Sequence, residues 1–198
     1  MSDYENHMQL DSVMQLQTMN RMMKRQFSSC DAKSAMVLGV AGGNGLEHAA
    51  DCGFKRLYGV DINREYLQRC RERYPELDGI LECICANLIS QYTVLPHADL
   101  LIANLLIEYI GYDCFCRTVA QICPQFVSCI IQINTDDGFV SDSPYLHVFD
   151  GLESVHHQMS EDELTAAMQS VGYRPVGIMD EPLPNGKKLV QMDFIHEL

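Results

Sequence analysis

The order of apolar and polar residues predicts strands and helices that alternate from residue 35 onward. Apolar runs of strand length are separated by segments whose apolar residues recur at helical spacing. The predicted strands are 35–40, 56–62, 79–86, 99–104 and 126–134, and the predicted helices are 45–52, 64–74 and 113–122. The run 99–104 is nearly all apolar, as expected of a strand buried on both faces. This alternation predicts a parallel sheet with right-handed crossovers and helices on both faces.

Two further segments flank the alternating region. Residues 3–28 are rich in Met and Gln, and their apolar spacing predicts one amphipathic helix, broken near Asp11, that either packs on the domain or forms a lid over a pocket. Near the other end, Ser160 and Glu163 form a capping-box pattern that begins a helix. The strands 176–180 and 188–195 then predict an antiparallel hairpin. We divide the chain into an N-terminal helical extension or lid, 1–30, and one domain, 31–198.

Composition narrows the function classes. The chain has 198 residues and a formal net charge of −13, which predicts one globular domain and argues against nucleic acid or an anionic membrane as a partner. No run of about 18 apolar residues is present, and the acidic, polar start is unlike a signal peptide. The nine cysteines are an odd number, and several lie in apolar runs, so we expect reduced thiols and a cytoplasmic protein.

The ends of the first two predicted strands predict a nucleoside-type site. A glycine-rich turn, 39–45, follows the first strand and allows a ligand to approach the backbone closely. The free N–H groups at the start of a following helix would suit a carboxylate or phosphate. Asp61 ends the second strand, where an acid can accept from both hydroxyls of a ribose. A dinucleotide and S-adenosylmethionine both fit, but His48 occupies the third glycine position of G-x-G-x-x-G, which counts against NAD.

Over residues 35–135 the chain resembles the class I S-adenosylmethionine-dependent methyltransferases. The first motif of that family, G-x-G-x-G, matches Ala41-Gly42-Gly43-Asn44-Gly45, with Ala41 replacing the first glycine. Alanine is tolerable there if its φ stays negative. Gly39 stands where the family often has an acid that contacts the methionine part of the cofactor, and Glu47 or the N-terminal segment would compensate. The resemblance implies that the segment from Gly39 to Gly45 binds this part of the cofactor.

The later motifs of the family follow in order. The resemblance implies that Asp61 binds the ribose, that Ile62, Asn87 and Leu88 bind the adenine, and that Asn104 lies near the transferred methyl group. Asn87 takes the place of the usual Asp. The resemblance also implies a three-layer α/β/α sandwich on a Rossmann-like, seven-stranded, mostly parallel sheet, closed by an antiparallel C-terminal hairpin strand.

Several residues are candidates for acid–base or metal chemistry. Glu108 and Tyr109 follow the fourth strand, where a base could take a proton from the acceptor, or where a helix could simply begin at the surface. His157, like His156 before it, is either a base at the pocket rim or a surface residue. The pairs Cys83-x-Cys85 and Cys114-x-Cys116 are spaced too closely for a usual zinc site, so we expect no metal. Asn104, Glu108 and Tyr109 are the predicted catalytic residues.

We therefore predict an S-adenosylmethionine-dependent methyltransferase that acts on a small-molecule acceptor. Alignment of donor and acceptor can be the main catalytic device, without a dedicated base. Two other functions stay open: a module that binds the cofactor without transferring the methyl group, and, less favoured, an NAD-dependent oxidoreductase. The sequence identifies neither the acceptor nor the methylated atom, and it leaves a homodimer open.

Overall fold

The computed structural model describes residue 10, residues 13–133 and residues 157–197. The strands are β1 (Ser34–Leu38), β2 (Arg56–Asp61), β3 (Leu81–Cys85), β4 (Leu100–Asn104), β5 (Phe126–Ile133), β6 (Tyr173–Pro182) and β7 (Lys188–His196). The α-helices are α1 (Gln15–Ser28), α2 (Arg64–Arg73), α3 (Leu88–Gln91), α4 (Ile107–Ile122) and α5 (Glu161–Ser170). Short 3-10 helices cover Leu46–Ala49, Pro75–Leu77 and Tyr92–Val94.

The strands form one sheet in the order β3-β2-β1-β4-β5-β7-β6. The first five pair in parallel, whereas β7 runs antiparallel to both β5 and β6. The predicted mostly parallel sheet and its C-terminal hairpin are confirmed. From β1 the chain builds outward to β3 and then returns to β4 on the other side, so the strand order reverses between β1 and β4. In open α/β sheets, the crevice beyond the carboxyl ends of the strands at this reversal is the usual ligand site.

Residues 35–38 of β1 are all apolar, and their side chains point alternately to the two buried faces of the sheet. Ala35 and Val37 pack in the cluster that contains α1 and α2 residues, whereas Met36 and Leu38 pack in the cluster that contains α4 and α5 residues. Successive side chains of a strand point to opposite faces, so one apolar strand contributes to both clusters. The predicted three-layer α/β/α sandwich is confirmed.

Two predicted helix starts are confirmed by their caps. The Asn63 side chain accepts hydrogen bonds from the N–H groups of Glu65 and Tyr66 at the start of α2. Ser160 Oγ accepts from the N–H of Glu163 at the start of α5. The N–H of Ser160 donates to the hydroxyl of Tyr112, at 3.0 Å, so α5 is also fastened to α4.

Two predicted helices differ in extent. The predicted helix 45–52 is only the 3-10 helix Leu46–Ala49, because Gly45 and Gly53, with φ of 90° and 71°, bound a segment too short for a stable α-helix. The predicted helix 113–122 begins earlier, at Ile107, with a break at Gly111 (φ 75°, ψ 162°). Glu108 and Tyr109 therefore lie in the first turn of α4.

The ends of the chain are only partly covered. α1 confirms the C-terminal half of the helix predicted over 3–28, whereas residues 3–9 and the predicted break near Asp11 lie outside the described residues. Most of the predicted loop 135–159, with His156, also lies outside them. In the part of the chain that the structure describes, no helix is both long enough and apolar enough to cross a bilayer.

Candidate functional site

The glycine-rich turn after β1 is held in an unusual backbone conformation. Ala41 has a φ of +47°, so the condition under which alanine would be tolerated there without strain is not met. Alanine in the left-handed region costs about 1 to 2 kcal/mol. The N–H of Ala41 donates to Asp61 Oδ2 at 2.9 Å, which fixes this conformation against the end of β2. Strain that the surrounding contacts maintain is typical of functional sites.

Asp61 connects two segments at the predicted ribose position. Its Oδ2 accepts from Ala41, and its Oδ1 accepts from the N–H of Asn63 at 2.8 Å. The side chain is only half-buried. A carboxylate has about four acceptor positions, so two backbone donors leave room for two hydroxyl donors. Asp61 therefore shapes the turn and still offers an acceptor on each oxygen.

Two glycines of the turn are required by the protein's own packing. A Cβ on Gly43 would lie 2.8 Å from the Tyr74 ring and 2.9 Å from Cys70 Sγ of α2. A Cβ on Gly45 would lie 2.8 Å from Met23 Sδ of α1. We expected these glycines to let a ligand come close to the backbone. Side chains from α1 and from α2 and its C-terminal end also come this close to the backbone.

Helix α1 packs on the turn through polar side chains. Asn20 Nδ2 donates to Glu47 Oε1 at 2.6 Å, and the Tyr74 hydroxyl donates to Glu47 Oε2 at 3.0 Å. Asn44 Nδ2 donates to the Leu16 carbonyl at 3.1 Å. Burial alone would raise the pKa of Glu47, but these hydrogen bonds outweigh burial and hold the pKa below its usual value. Each Glu47 oxygen accepts one hydrogen bond from the protein, as each Asp61 oxygen does, so compensation by Glu47 for the acid missing at Gly39 stays a prediction.

Exposed apolar side chains lie at the ends of β2 and β3. The N–H of Ala86 donates to the carbonyl of Asp61, which places the two strand ends side by side. Ile62 is 66% exposed and Ile89 is 60% exposed. Large apolar side chains this exposed at a strand-end crevice suit a flat apolar ligand. Sequence reasoning missed Ile89, although it lies only two residues after Asn87.

The other predicted adenine contacts have structural roles. The Asn87 side chain caps α3 by accepting from the N–H of Ile89 at 3.0 Å. Leu88 is buried in the apolar cluster on the α4 and α5 side. Ile62 and Ile89 are thus the apolar side chains that this part of the site presents to solvent.

Asn104, the predicted residue near the methyl group, is paired with α1. Its Nδ2 donates to Gln26 Oε1 at 2.8 Å, and Gln26 Nε2 donates back to Asn104 Oδ1 at 2.9 Å. Gln26 Nε2 also reaches Ser128 Oγ at 2.9 Å, and Gln26 is fully buried. Leu105, the next residue, has a φ of +52°. Sequence reasoning missed Gln26, for which the signal was a polar residue on the apolar face of α1.

Glu108 is buried at the start of α4. It is 1% exposed, so the alternative of a helix start at the surface is wrong for this residue. Its Oε1 accepts from the N–H of Gln132 at 3.0 Å, and its buried Oε2 has no hydrogen-bond partner in the part of the chain that the structure describes. Burial raises the pKa of Glu108 to about 7. Burial, with a smaller contribution from the charge of Glu108, raises the pKa of Tyr109 to about 12.

The remaining candidates are peripheral or structural. The N–H of His157 donates to the Glu108 carbonyl at 2.7 Å, so the described chain resumes beside α4. Cys114 and Cys116 are buried. Across residues 13–133 and 157–197, no group of three or more His, Cys, Asp or Glu side chains could hold a metal ion.

Comparison with solved structures gives the fold family. A geranyl diphosphate methyltransferase in complex with SAM matches with a TM-score of 0.69 and 12% identity, covering 91% of this chain and 85% of that one. The magnesium protoporphyrin IX methyltransferase ChlM from Synechocystis PCC 6803, with bound SAM, matches with a TM-score of 0.63 and 10% identity. The match covers 92% of this chain and 79% of that one. The [4+2]-cyclase SpnF matches with a TM-score of 0.70 and 8% identity, and the match covers 91% of this chain and 81% of that one. No protein-family model and no curated protein matches the sequence.

Proposed function

We propose that this chain, which has the fold of the class I S-adenosylmethionine-dependent methyltransferases, binds S-adenosylmethionine and transfers its methyl group to a small-molecule acceptor. The observation that carries the proposal is the end of β2. There Asp61 keeps free acceptor positions beside the strained turn, and Ile62 stays exposed next to it. A ribose needs the first feature and an adenine ring needs the second.

The residues present fit this cofactor unevenly. Asp61 would accept from the ribose hydroxyls, and Ile62 and Ile89 would contact the adenine. The methionine part would meet the backbone of the turn from Gly39 to Gly45, beside Glu47, whose side chain is held by Asn20 and Tyr74. When bound, the cofactor supplies an electrophilic methyl group on a sulfonium. The protein would contribute alignment of the acceptor and exclusion of water.

A binding module without transferase activity is the second candidate. It is favoured by the amide pair of Gln26 and Asn104, which occupies the side chain that we expected to face the methyl group. The likeness to a [4+2]-cyclase agrees with a fold that carries other chemistry. An NAD-dependent oxidoreductase is disfavoured further, because the turn leads into a four-residue 3-10 helix and not into a long helix whose N-terminus could bind a pyrophosphate.

Calorimetric and thermal-shift titrations with S-adenosylhomocysteine, with NAD as the comparison ligand, test the proposal. At 100 times its dissociation constant, a ligand adds about 2.7 kcal/mol of stability. For a domain of this size, that raises the melting temperature by roughly 5 to 10 °C. We expect this shift with S-adenosylhomocysteine and none with NAD. If S-adenosylhomocysteine gives neither a binding signal nor a thermal shift with the wild-type protein, the proposal is refuted.

Asp61→Ala, with Asp99→Ala as its matched control, tests the assigned site. Asp99 also accepts two backbone N–H groups, from Lys33 and Ser34 at 2.8 Å each, but at the amino end of β4. We expect Asp61→Ala to weaken binding at least tenfold and Asp99→Ala to leave it unchanged. Equal weakening by both would mean that Asp61 acts only through the fold. Tight binding of S-adenosylhomocysteine without methyl transfer to any acceptor would favour the second candidate, a binding module without transferase activity.

A further inference from the structure

The carboxyl group of Glu108 is incompletely satisfied. It lies in the first turn of α4 and is almost fully buried. Oε1 accepts from the Gln132 N–H, but Oε2 has no hydrogen-bond partner among the described residues. Buried polar atoms in folded proteins nearly always have a hydrogen-bond partner, and an exception calls for a specific explanation.

The described surroundings do not neutralise this carboxyl group. Its charge acts on Tyr109, Tyr112 and Cys129, none of which can carry a positive charge. His157 lies close by, but its described contact with Glu108 is a hydrogen bond from its backbone N–H to the Glu108 carbonyl. A buried carboxylate without a counter-charge is costly, and a positive or N–H-bearing partner removes that cost. In its ionised form, Glu108 is therefore a buried carboxylate for which the described residues supply no positive partner.

The position of Glu108 agrees with the acceptor side of the site. It follows β4, and its Oε1 is fixed by Gln132 near the carboxyl end of the neighbouring strand β5. The proposed nucleoside contacts, Asp61 and Ile62, lie at the end of β2 on the other side of β1. A methyl donor whose adenosine lies beyond β2 and whose methionine part follows the turn after β1 would direct its methyl group toward β4.

We propose that the acceptor is an amine, and that its nitrogen donates a hydrogen bond to Glu108 Oε2. This inference rests on the proposed methyl transfer. The amine nitrogen forms the bond to the methyl carbon, and the bond from that carbon to the sulfonium sulfur breaks with its electron pair left on sulfur. Because the amine arrives as an ammonium ion, it first gives one proton to the Glu108 carboxylate, which frees the electron pair on nitrogen for this attack, and Glu108 then passes the proton to water. Atoms and charge balance without a further reactant.

The charge distribution selects an amine over other acceptors. An amine arrives as a cation at neutral pH and compensates the buried carboxylate directly. A phenol or a thiol brings no positive charge, and a carboxylic acid brings a second negative one. Recognition of a cation by one buried carboxylate is specific because the acceptors without that charge leave the carboxylate uncompensated.

The first test needs no ligand. Glu108→Gln retains an oxygen for the Gln132 N–H and removes the unmatched charge, so at pH 8 it should unfold at a temperature equal to or above that of the wild type. Glu47→Gln is the matched control, because both oxygens of Glu47 have partners, and it should unfold at a lower temperature. If Glu108→Gln is as destabilised as Glu47→Gln, Glu108 is a structural residue and the proposal is overturned.

The second test measures S-adenosylhomocysteine formation with a panel of primary and secondary amines and shape-matched alcohols, phenols, thiols and carboxylic acids. We expect turnover with amines only. Glu108→Gln should lower that turnover at least 100-fold with unchanged S-adenosylhomocysteine affinity, since positioned bases contribute about 10²- to 10⁴-fold. Transfer to no amine, or wild-type turnover in Glu108→Gln, overturns the inference. Failure of the wild type to bind S-adenosylhomocysteine would instead overturn the proposed function itself.

Discussion

The buried carboxyl group of Glu108 makes stability depend on pH in an unusual direction. Its pKa is raised from 4.5 to about 7 in the folded protein, so between these values the folded state binds more protons than the unfolded state. Stability from this group is full below pH 4.5 and is lost as the pH rises through about 7. At about 1.4 kcal/mol per pH unit, the loss is about 3 kcal/mol. For a domain of this size, the melting temperature would fall by roughly 6 to 12 °C.

The assay is chemical or thermal unfolding of the wild type and Glu108→Gln from pH 4.5 to 8. The net charge of −13 gives both proteins a shared pH dependence, so the difference between the two curves isolates Glu108. As the pH rises, the wild type should lose stability relative to Glu108→Gln. Glu47→Gln should give the opposite sign, because the lowered pKa of Glu47 stabilises the fold at higher pH and this stabilisation is lost as the pH falls. Parallel curves for the wild type and Glu108→Gln would refute the reasoning.

Three further substitutions test the packing and the site. Gly43→Ala should destabilise the fold by more than about 2 kcal/mol in denaturant unfolding, because its Cβ would overlap α2 side chains. Gly53→Ala, also at positive φ but with open space around it, should cost only about 1 kcal/mol, and equal costs would contradict the overlap. Gln26→Ala should lower the free energy of unfolding by about 2 to 4 kcal/mol, because Asn104 and Ser128 lose a hydrogen-bond partner. A loss below about 1 kcal/mol would show that these side chains find other partners. Ile62→Ser should weaken S-adenosylhomocysteine binding about tenfold in calorimetry with unchanged stability. Ile178 of β6 is also an exposed isoleucine, at 55%, and Ile178→Ser should bind normally.

Local sequence signals were sufficient for most of the helices and strands and for the position of Asp61 at the end of β2, beside the glycine-rich turn. Asn63 is followed by a helix because its side chain can accept from the first free N–H groups, a property of adjacent residues. The strand that ends at Asp61 is short, apolar and bounded by polar residues. Such features act within a few residues along the chain, and the alternation of strands with helices indicates the parallel pairing but not the order of the strands.

Contacts between distant residues were beyond local signals. Gln26 and Asn104 are 78 positions apart, and nothing in the spacing of either one specifies the other. The left-handed backbone at Ala41 depends on a hydrogen bond to Asp61, 20 positions away. The unpaired Glu108 Oε2 results from the packing of α4 against β5. These features required three-dimensional coordinates because tertiary contacts decide them.

The amide pair between Gln26 and Asn104 has a consequence for any shortened version of the protein. Met22, Met23 and Phe27 of α1 are buried in the same clusters as strand residues, so deletion of the first 30 residues would expose both of those clusters. It would also leave the polar end of β4 without its partner. Fraying of α1 would therefore remove the partner of Asn104 at the end of β4, and amide exchange along α1 would measure the free energy of that opening.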